Sequence, residues 1–290
     1  MDRKEFLSKS LIAASGIGIT GKVLSKNKDY KSTFDKLSEQ VGFNHLPNKE
    51  NVMKNMIIHK ANSRGHADHG WLDTHHTFSF ANYYNPERMN FGVLRVLNDD
   101  KVAPGRGFGK HPHDNMEIIS IPLSGDLEHK DSMGNTAVIR QGDVQVMSAG
   151  TGIFHSEYNK NTDQEVRFLQ IWLFPNKKNV EPRYDQISTQ EVEKRNEFFQ
   201  ILSPHSSDQG VWIHQNAWFS MAKADASRNL HYSLQEPTNG VYLFVLEGEV
   251  KLNGEVLGKR DGAGLWNIKD LDLETTKESN ILLMEVPMSL

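Results

Sequence analysis

"MEIISIPLSGDLEH", residues 116–129, is an apolar run that breaks at Gly125 and resumes as a second, more polar strand. Laid over "VYLFVLEGEVKLNG", residues 241–254, it shows the same strand–glycine–strand rhythm. The repeat reads as an internal duplication of one β-barrel unit. Around it lie further short β runs, "FGVLRVLND" (91–99), "TAVIRQGDVQVMSAG" (136–150) and "RFLQIWLFP" (167–175), each ending in turn residues. Met133-Gly134-Asn135 and Asn253-Gly254 mark tight turns between strands. Strands this dense predict an all-β sandwich or barrel, not alternating βα units. Helical patterning is scarce, and "STQEVEKRNEFFQIL" (188–202) is the best short candidate. "PNKKNVEPRYDQ" (175–186), polar and carrying two prolines, places a domain boundary near 180–190.

The N-terminal part has a different texture. "MDRKEFLSKSLIAASGIGITGKVL" (1–24) begins basic and carries an apolar, small-residue run from Leu11 to Gly21. That run is too short to span a bilayer, which takes about 20 apolar residues, so no membrane span is expected. It is closer to the apolar region of a signal peptide. Arg3-Lys4-Glu5-Phe6-Leu7 resembles a twin-arginine export signature with Lys4 in place of the second arginine. Two readings stay open: a periplasmic protein with a twin-arginine-like leader, or a cytoplasmic one with a frayed N-terminal helix. Residues 25–54 are polar without sustained periodicity and read as a linker. The expected layout is therefore 1–24 leader or frayed segment, 25–54 linker, 55–185 first barrel domain and 186–290 second barrel domain.

Composition narrows the chemistry. The 290 residues contain no cysteine, which excludes disulfides, thiolate catalysis and Cys-ligated zinc or iron–sulfur centres. A formal net charge of −4 argues against nucleic acid as a general electrostatic partner. Any metal must be held by His, Asp, Glu or backbone oxygen, and the chain has 13 His. In "GFGKHPHDNMEIISI" (107–121), His111 and His113 stand one residue apart. Chance supplies roughly 0.6 such pairs in a chain of this composition, so the pair alone identifies nothing. In a strand, however, residues i and i+2 share a face. "SAGTGIFHSEYN" (148–159) sets His155 and Glu157 in the same relation. Either pair alone reads more readily as a solvated strand end. Together, on neighbouring strands, they would bring three imidazoles and one carboxylate around one point. That donor set suits Fe(II), Mn(II), Ni(II), Co(II), Cu(II) or Zn(II) and leaves positions free for substrate or dioxygen.

The spacing Gly105-x5-His111-x-His113-x3-Glu117, followed by Gly125, resembles the first cupin motif. Gly142, then Gly150-x-Gly152-x2-His155-x3-Asn159, resembles the second. More narrowly, "RGHADHGWLDTHHTFSFANYY" (64–84), "GFGKHPHDNMEI" (107–118), "LEHKDSMGN" (127–135) and "MSAGTGIFHSEYN" (147–159) resemble the pirin family, especially its bacterial quercetin 2,3-dioxygenase-like members. The resemblance implies a bicupin: two double-stranded β-helix (jelly-roll) barrels with few short helices. It implies one metal, usually iron as Fe(II), in the first barrel, held by His111, His113, His155 and Glu157. Glu117 fills the slot that binds metal in many other cupins, but the pirin pattern gives it a supporting or structural role. The second barrel lacks paired ligands, with His231 and Glu247 at unsuitable spacings, and is expected to be metal-free.

The implied activity is ring cleavage of a quercetin-like flavonol by O2 with release of carbon monoxide, Glu157 acting as the base for the flavonol 3-hydroxyl. Phe78, Phe80, Phe108, Met116 and Phe154 are candidate pocket walls, although each is more readily ordinary barrel core. Two other readings accompany this one: a non-enzymatic, iron-binding redox sensor with a protein partner, and a cupin enzyme for another small molecule. His66, His69, His75 and His76 are expected to hydrogen-bond within a packed segment, and His129 to be solvated on its strand.

Overall fold

A computed structural model describes residues 55–289; the leader and linker readings concern residues outside this range. The first strands are β1 (Met56–His59), β2 (Gly65–Asp68), β3 (Leu72–His76), β4 (Leu94–Val102), β5 (Gly107–His113) and β6 (Glu117–Ser124). They are followed by β7 (Leu127–Asp131), β8 (Thr136–Ile139), β9 (Asp143–Ser148), β10 (Ile153–Asn159), β11 (Val166–Leu173) and β12 (Arg183–Ser188). The second half holds β13 (Phe199–Ser203), β14 (Val211–Trp212), β15 (Trp218–Ala224), β16 (Arg228–Ser233) and β17 (Asn239–Glu247). It ends with β18 (Glu249–Leu252), β19 (Glu255–Gly258), β20 (Gly262–Leu265), β21 (Asp270–Thr275) and β22 (Ser279–Pro287). The described helices are two 3₁₀ turns, Ala61–Ser63 and Thr189–Glu191. No helix among these residues is long and apolar enough to cross a membrane.

Each half closes a seven-stranded sheet onto a four-stranded one. The first barrel uses the orders β12-β9-β6-β11-β4-β3-β2 and β5-β10-β7-β8; the second uses β1-β20-β17-β22-β15-β13-β14 and β16-β21-β18-β19. This is the double-stranded β-helix architecture anticipated from the sequence, made twice. The turns are also as read: β7 and β8 pair across the Asp131–Asn135 turn, and Leu252 pairs with Glu255 across Asn253-Gly254. Both turn residues have positive φ, 51° and 88°, the geometry that a two-residue hairpin of right-handed twist requires.

The two large sheets pack back to back, and the side-chain alternation along their strands sorts two cores. On β17, Tyr242, Phe244 and Leu246 enter the core shared between the barrels, while Leu243 and Val245 enter the second barrel's interior. On β11, Leu169, Ile171 and Leu173 face the shared core, whereas Phe168 and Trp172 point into the first barrel. Strands buried on both faces lose the polar–apolar alternation of a half-exposed strand, hence the continuous run "RFLQIWLF". The second interior is filled by aliphatic side chains, including Leu230, Val241, Leu243, Val250, Leu271 and Leu283. The first interior has apolar clusters at two levels with polar residues between them, and that break is where the site lies.

Two expectations are corrected here. The segment 188–202 is not helical: one 3₁₀ turn is followed by β13, whose Phe199 and Ile201 enter the shared core in β alternation and whose backbone pairs with β15. β1 pairs with β20 of the second barrel, His59 opposite Gly262, rather than with the first barrel that follows it in sequence. Its His59 Nδ1 lies 2.8 Å from the hydroxyl of Tyr242, and burial lowers its pKa to about 3, so the ring stays neutral.

Candidate metal centre

β5 and β10 are neighbours, and His155 sits directly opposite His111. Alternation turns His111, His113, His155 and Glu157 inward, and all four are buried. The strands approach closely: a Cβ on Gly107 would lie 2.1 Å from the carbonyl oxygen of Glu157, so only glycine fits there. Ring centroids are 4.4 Å apart for His111 and His155, 4.9 Å for His111 and His113, and 5.0 Å for His113 and His155. One ring nitrogen from each of these three histidines lies within 4.8 Å of the other two. Glu157 belongs to an overlapping group of the same span, formed with His155 and His129.

The electrostatics favour ligands over charges. Burial lowers the pKa of His113 and His155 well below the ordinary imidazole value, and the neighbouring imidazoles push the same way. Burial also lowers that of His111, opposed by its bond to a backbone carbonyl and by the charge of Glu157. Neutral imidazoles are the form a metal needs. His111 Nδ1 lies 2.8 Å from the carbonyl of Gly109 and donates to it, leaving Nε2 as the lone pair. His155 Nε2 is buried without a hydrogen-bond partner. An orphaned buried nitrogen among three neutral imidazoles fits a divalent cation and has no other evident use.

Four residues around this cluster, Gln170, Ser120, Asp100 and Trp172, were not singled out from the sequence. Gln170 Nε2 donates to both oxygens of Glu157, at 3.0 and 2.8 Å, and Ser120 Oγ lies 3.2 Å from Oε1. Asp100 accepts from Thr74 Oγ1 at 2.5 Å. Its burial raises its pKa to about 8, so at neutral pH it holds a proton. Trp172 packs edge-on against His113 at 4.9 Å, and its Nε1 is buried without a partner. Phe80, Met116 and Ile153 share its apolar cluster. Of the other candidate walls, Phe78 lies in the shared core against Tyr242, Phe108 meets Trp71 edge-to-face, and Phe154 is solvent-exposed beneath Lys110.

His129 requires a correction: it is fully buried, not solvated. Its Nε2 lies 3.1 Å from Asp131 Oδ2, and its Nδ1 lies 3.5 Å from His155 Nδ1. Asp131 is itself fixed by the backbone N–H groups of Met133 and Asn135 and by Asn135 Nδ2. A proton on His129 Nε2 leaves its Nδ1 to accept from His155 Nδ1, which turns the lone pair of His155 Nε2 toward the cluster. His129→Ala is therefore expected to weaken metal binding by roughly 10- to 100-fold. Competition with a chelator checks this; unchanged affinity would remove His129 from the site.

Glu117 lies on the opposite face of β6, alongside Ile119 and Ile121 of the shared core. It accepts from Ser148 Oγ at 2.7 Å and from the backbone N–H of His214 in the second half of the chain, so it ties the barrels together. Burial raises its pKa to about 7 from an ordinary 4.5. A raised carboxyl pKa means that the folded state binds the extra proton between pH 4.5 and 7, and stability falls as pH rises through that window. Across it the loss is on the order of 3 kcal/mol. Glu117→Gln is expected to flatten this dependence, gaining on the wild type in denaturant melts at pH 8 compared with pH 5.

Residues 57–173 match the Pirin family and residues 200–286 the quercetinase C-terminal cupin domain family. The quercetin 2,3-dioxygenase of Escherichia coli K12 is 41% identical over 233 residues, covering 80% of this chain and 99% of that protein. A pirin-like protein of Caulobacter vibrioides is 38% identical over 222 residues, covering 76% and 95%. The crystal structure of the bacterial pirin YhhW from E. coli in complex with nickel(II) superposes with a TM-score of 0.75 at 39% identity, covering 80% of this chain and 99% of that one.

Proposed function

The chain belongs to the pirin family, and on that premise we propose that it is a metal-dependent dioxygenase that cleaves quercetin-like flavonols with O2. The observation that carries this reading is the orphaned Nε2 of His155 among three neutral, buried imidazoles. His111, His113, His155 and Glu157 are the proposed ligands and Fe(II) the proposed resident ion; the same donors suit Mn, Ni, Co, Cu and Zn. When bound, such an ion supplies Lewis acidity that lowers the pKa of a coordinated hydroxyl.

The remaining roles fall to the chain's own side chains. Glu157 takes the proton of the flavonol 3-hydroxyl, held for that purpose by Gln170 and Ser120. The protonated Asp100 adds no negative charge to the interior. Trp172, Phe80 and Met116 give the flat aromatic substrate an apolar wall beside His113, and Trp172 Nε1 is a donor for one of its oxygens.

Aerobic loss of quercetin's near-visible absorbance, with carbon monoxide release, tests the reading on protein loaded with Fe, Mn, Ni, Co or Cu in turn. No turnover with any of these metals would refute it. Glu157→Gln is expected to lower turnover by roughly 10²- to 10⁴-fold. Turnover equal to the wild type would remove the proposed base role and leave the reaction class standing.

A further inference from the structure

The β2–β3 hairpin lies at one edge of the first barrel's large sheet, and its two faces differ. Leu72 joins the interior apolar cluster, Thr74 bonds Asp100, and His76 Nδ1 lies 2.9 Å from Asn98 Oδ1. Those contacts fix the backbone of the hairpin. The outward row carries His66, Asp73 and His75. His66 is the direct cross-strand partner of His75, and Asp73 stands two residues before His75 on the same face. The two imidazole rings stack, with centroids 4.4 Å apart. Asp73 Oδ1 lies 2.9 Å from His66 Nε2 and 3.8 Å from His75 Nδ1. One donor atom from each of the three lies within 4.8 Å of the other two. These side chains are half-buried to exposed, which corrects the expectation that His66 and His75 are packed.

The surrounding charges leave this triad open. Lys101 Nζ holds Asp73 through the other oxygen, Oδ2, at 3.1 Å. Arg64, the residue before β2, is engaged by Asp99 at 3.1 Å, and Arg260 pairs with the same carboxylate at 2.9 Å. Oδ1 thus faces both imidazoles while the neighbouring cations are occupied. Two imidazoles and one carboxylate on a fixed β-ribbon form a three-point donor set for a borderline divalent cation, with the remaining positions left to water.

We propose that His66, His75 and Asp73 form a second metal site, on the outer surface of the first barrel, for a late first-row divalent ion. Cu(II) binds most tightly, with Ni(II) and Zn(II) behind it. Ca²⁺ and Mg²⁺, which require oxygen-rich shells, are not bound there. The site is independent of the interior cluster and does not rest on the dioxygenase reading.

Equilibrium dialysis of the full chain against Zn(II), followed by elemental analysis, tests it. The wild type is expected to hold two equivalents per chain and His66→Asn/His75→Asn one. Lys101→Ala is expected to tighten the outer equivalent several-fold by freeing Asp73, a gain that loss of packing would not produce. Equal stoichiometry in the wild type and the double histidine variant overturns the proposal. Substoichiometric Cu(II) added to wild-type protein whose interior site is already filled with Zn(II) gives an independent readout. Paramagnetic broadening of amide signals from residues 65–68 and 72–76 is expected, and broadening elsewhere without these residues overturns the site.

Discussion

Replacing His155 with leucine is expected to abolish metal binding at the interior cluster and flavonol turnover together, while making the metal-free protein more resistant to acid. His155 is central to the cluster: its ring is 4.4 Å from His111, 5.0 Å from His113 and 5.3 Å from His129. Removing it takes one of the proposed ligands and strands the Asp131–His129 support, so the loss in metal affinity should exceed the roughly 100-fold seen when only a supporting partner is lost. The acid effect has the opposite sign. An imidazole whose pKa is lowered by burial is neutral in the folded protein but takes up a proton on unfolding below its ordinary value of 6.5. Stability is therefore lost as pH falls below 6.5, and a leucine at this position does not contribute to that loss. Metal content and turnover of His155→Leu, set beside urea melts of the metal-free protein at pH 5 and 7.5, check both halves. A His155→Leu variant that binds as many metal equivalents per chain as the wild type would remove His155 from the ligand set.

Glu285→Leu is expected to cause the largest loss of stability, with no direct effect on the metal centre. The carboxylate is fully buried in the second barrel and accepts from Tyr232 Oη at 2.8 Å, Asn239 Nδ2 at 2.9 Å, and the backbone N–H groups of Gln235 and Glu236 at 2.9 Å. Leucine would leave the buried Tyr232 hydroxyl without its acceptor and remove the bonds from Asn239 Nδ2 and from two part-buried backbone N–H groups. The expected destabilisation is about 3–5 kcal/mol, or roughly 10 °C in melting temperature for a body of this size. Glu285→Gln keeps an acceptor oxygen and should lose about half as much. Calorimetry on the three proteins tests this, and a leucine variant melting within a degree or two of the wild type would show the network to be dispensable.

The fold was legible because duplication and strand density are written locally, and because Gly125 and Gly248 break matching runs at equivalent places. The four proposed ligands were legible because each pair lies on one strand at the spacing that shares a face. Gln170, Ser120, Trp172 and Asp100 were not: Ser120 and Asp100 lie on two other strands from the Gln170–Trp172 pair of β11, and the four come together only once the barrel closes. Gln170 was further hidden because β11 is buried on both faces, and a run without alternation does not reveal which side a residue faces. His129 did leave a signal. Leu127 and His129 share a face of β7, and a strand that buries Leu127 must turn His129 inward as well. The false helix at 188–202 arose from charged residues at helical spacing. Phe199 and Ile201, an i, i+2 pair with a core to fill, outweighed it.

The pairing of β1 with β20 has a consequence for the order of assembly. During synthesis β1 emerges first among the described strands, yet its partner lies about 200 residues further on. At roughly 5–20 residues per second, that separation is ten seconds or more of waiting. The sheets that carry His111, His113, His155 and Glu157 draw on β2 to β12 and need nothing made later. The metal-binding barrel can thus close on the ribosome while β1 remains an unpaired thread, and docking of that thread onto β20 becomes the last latch, made only when the whole chain is in hand.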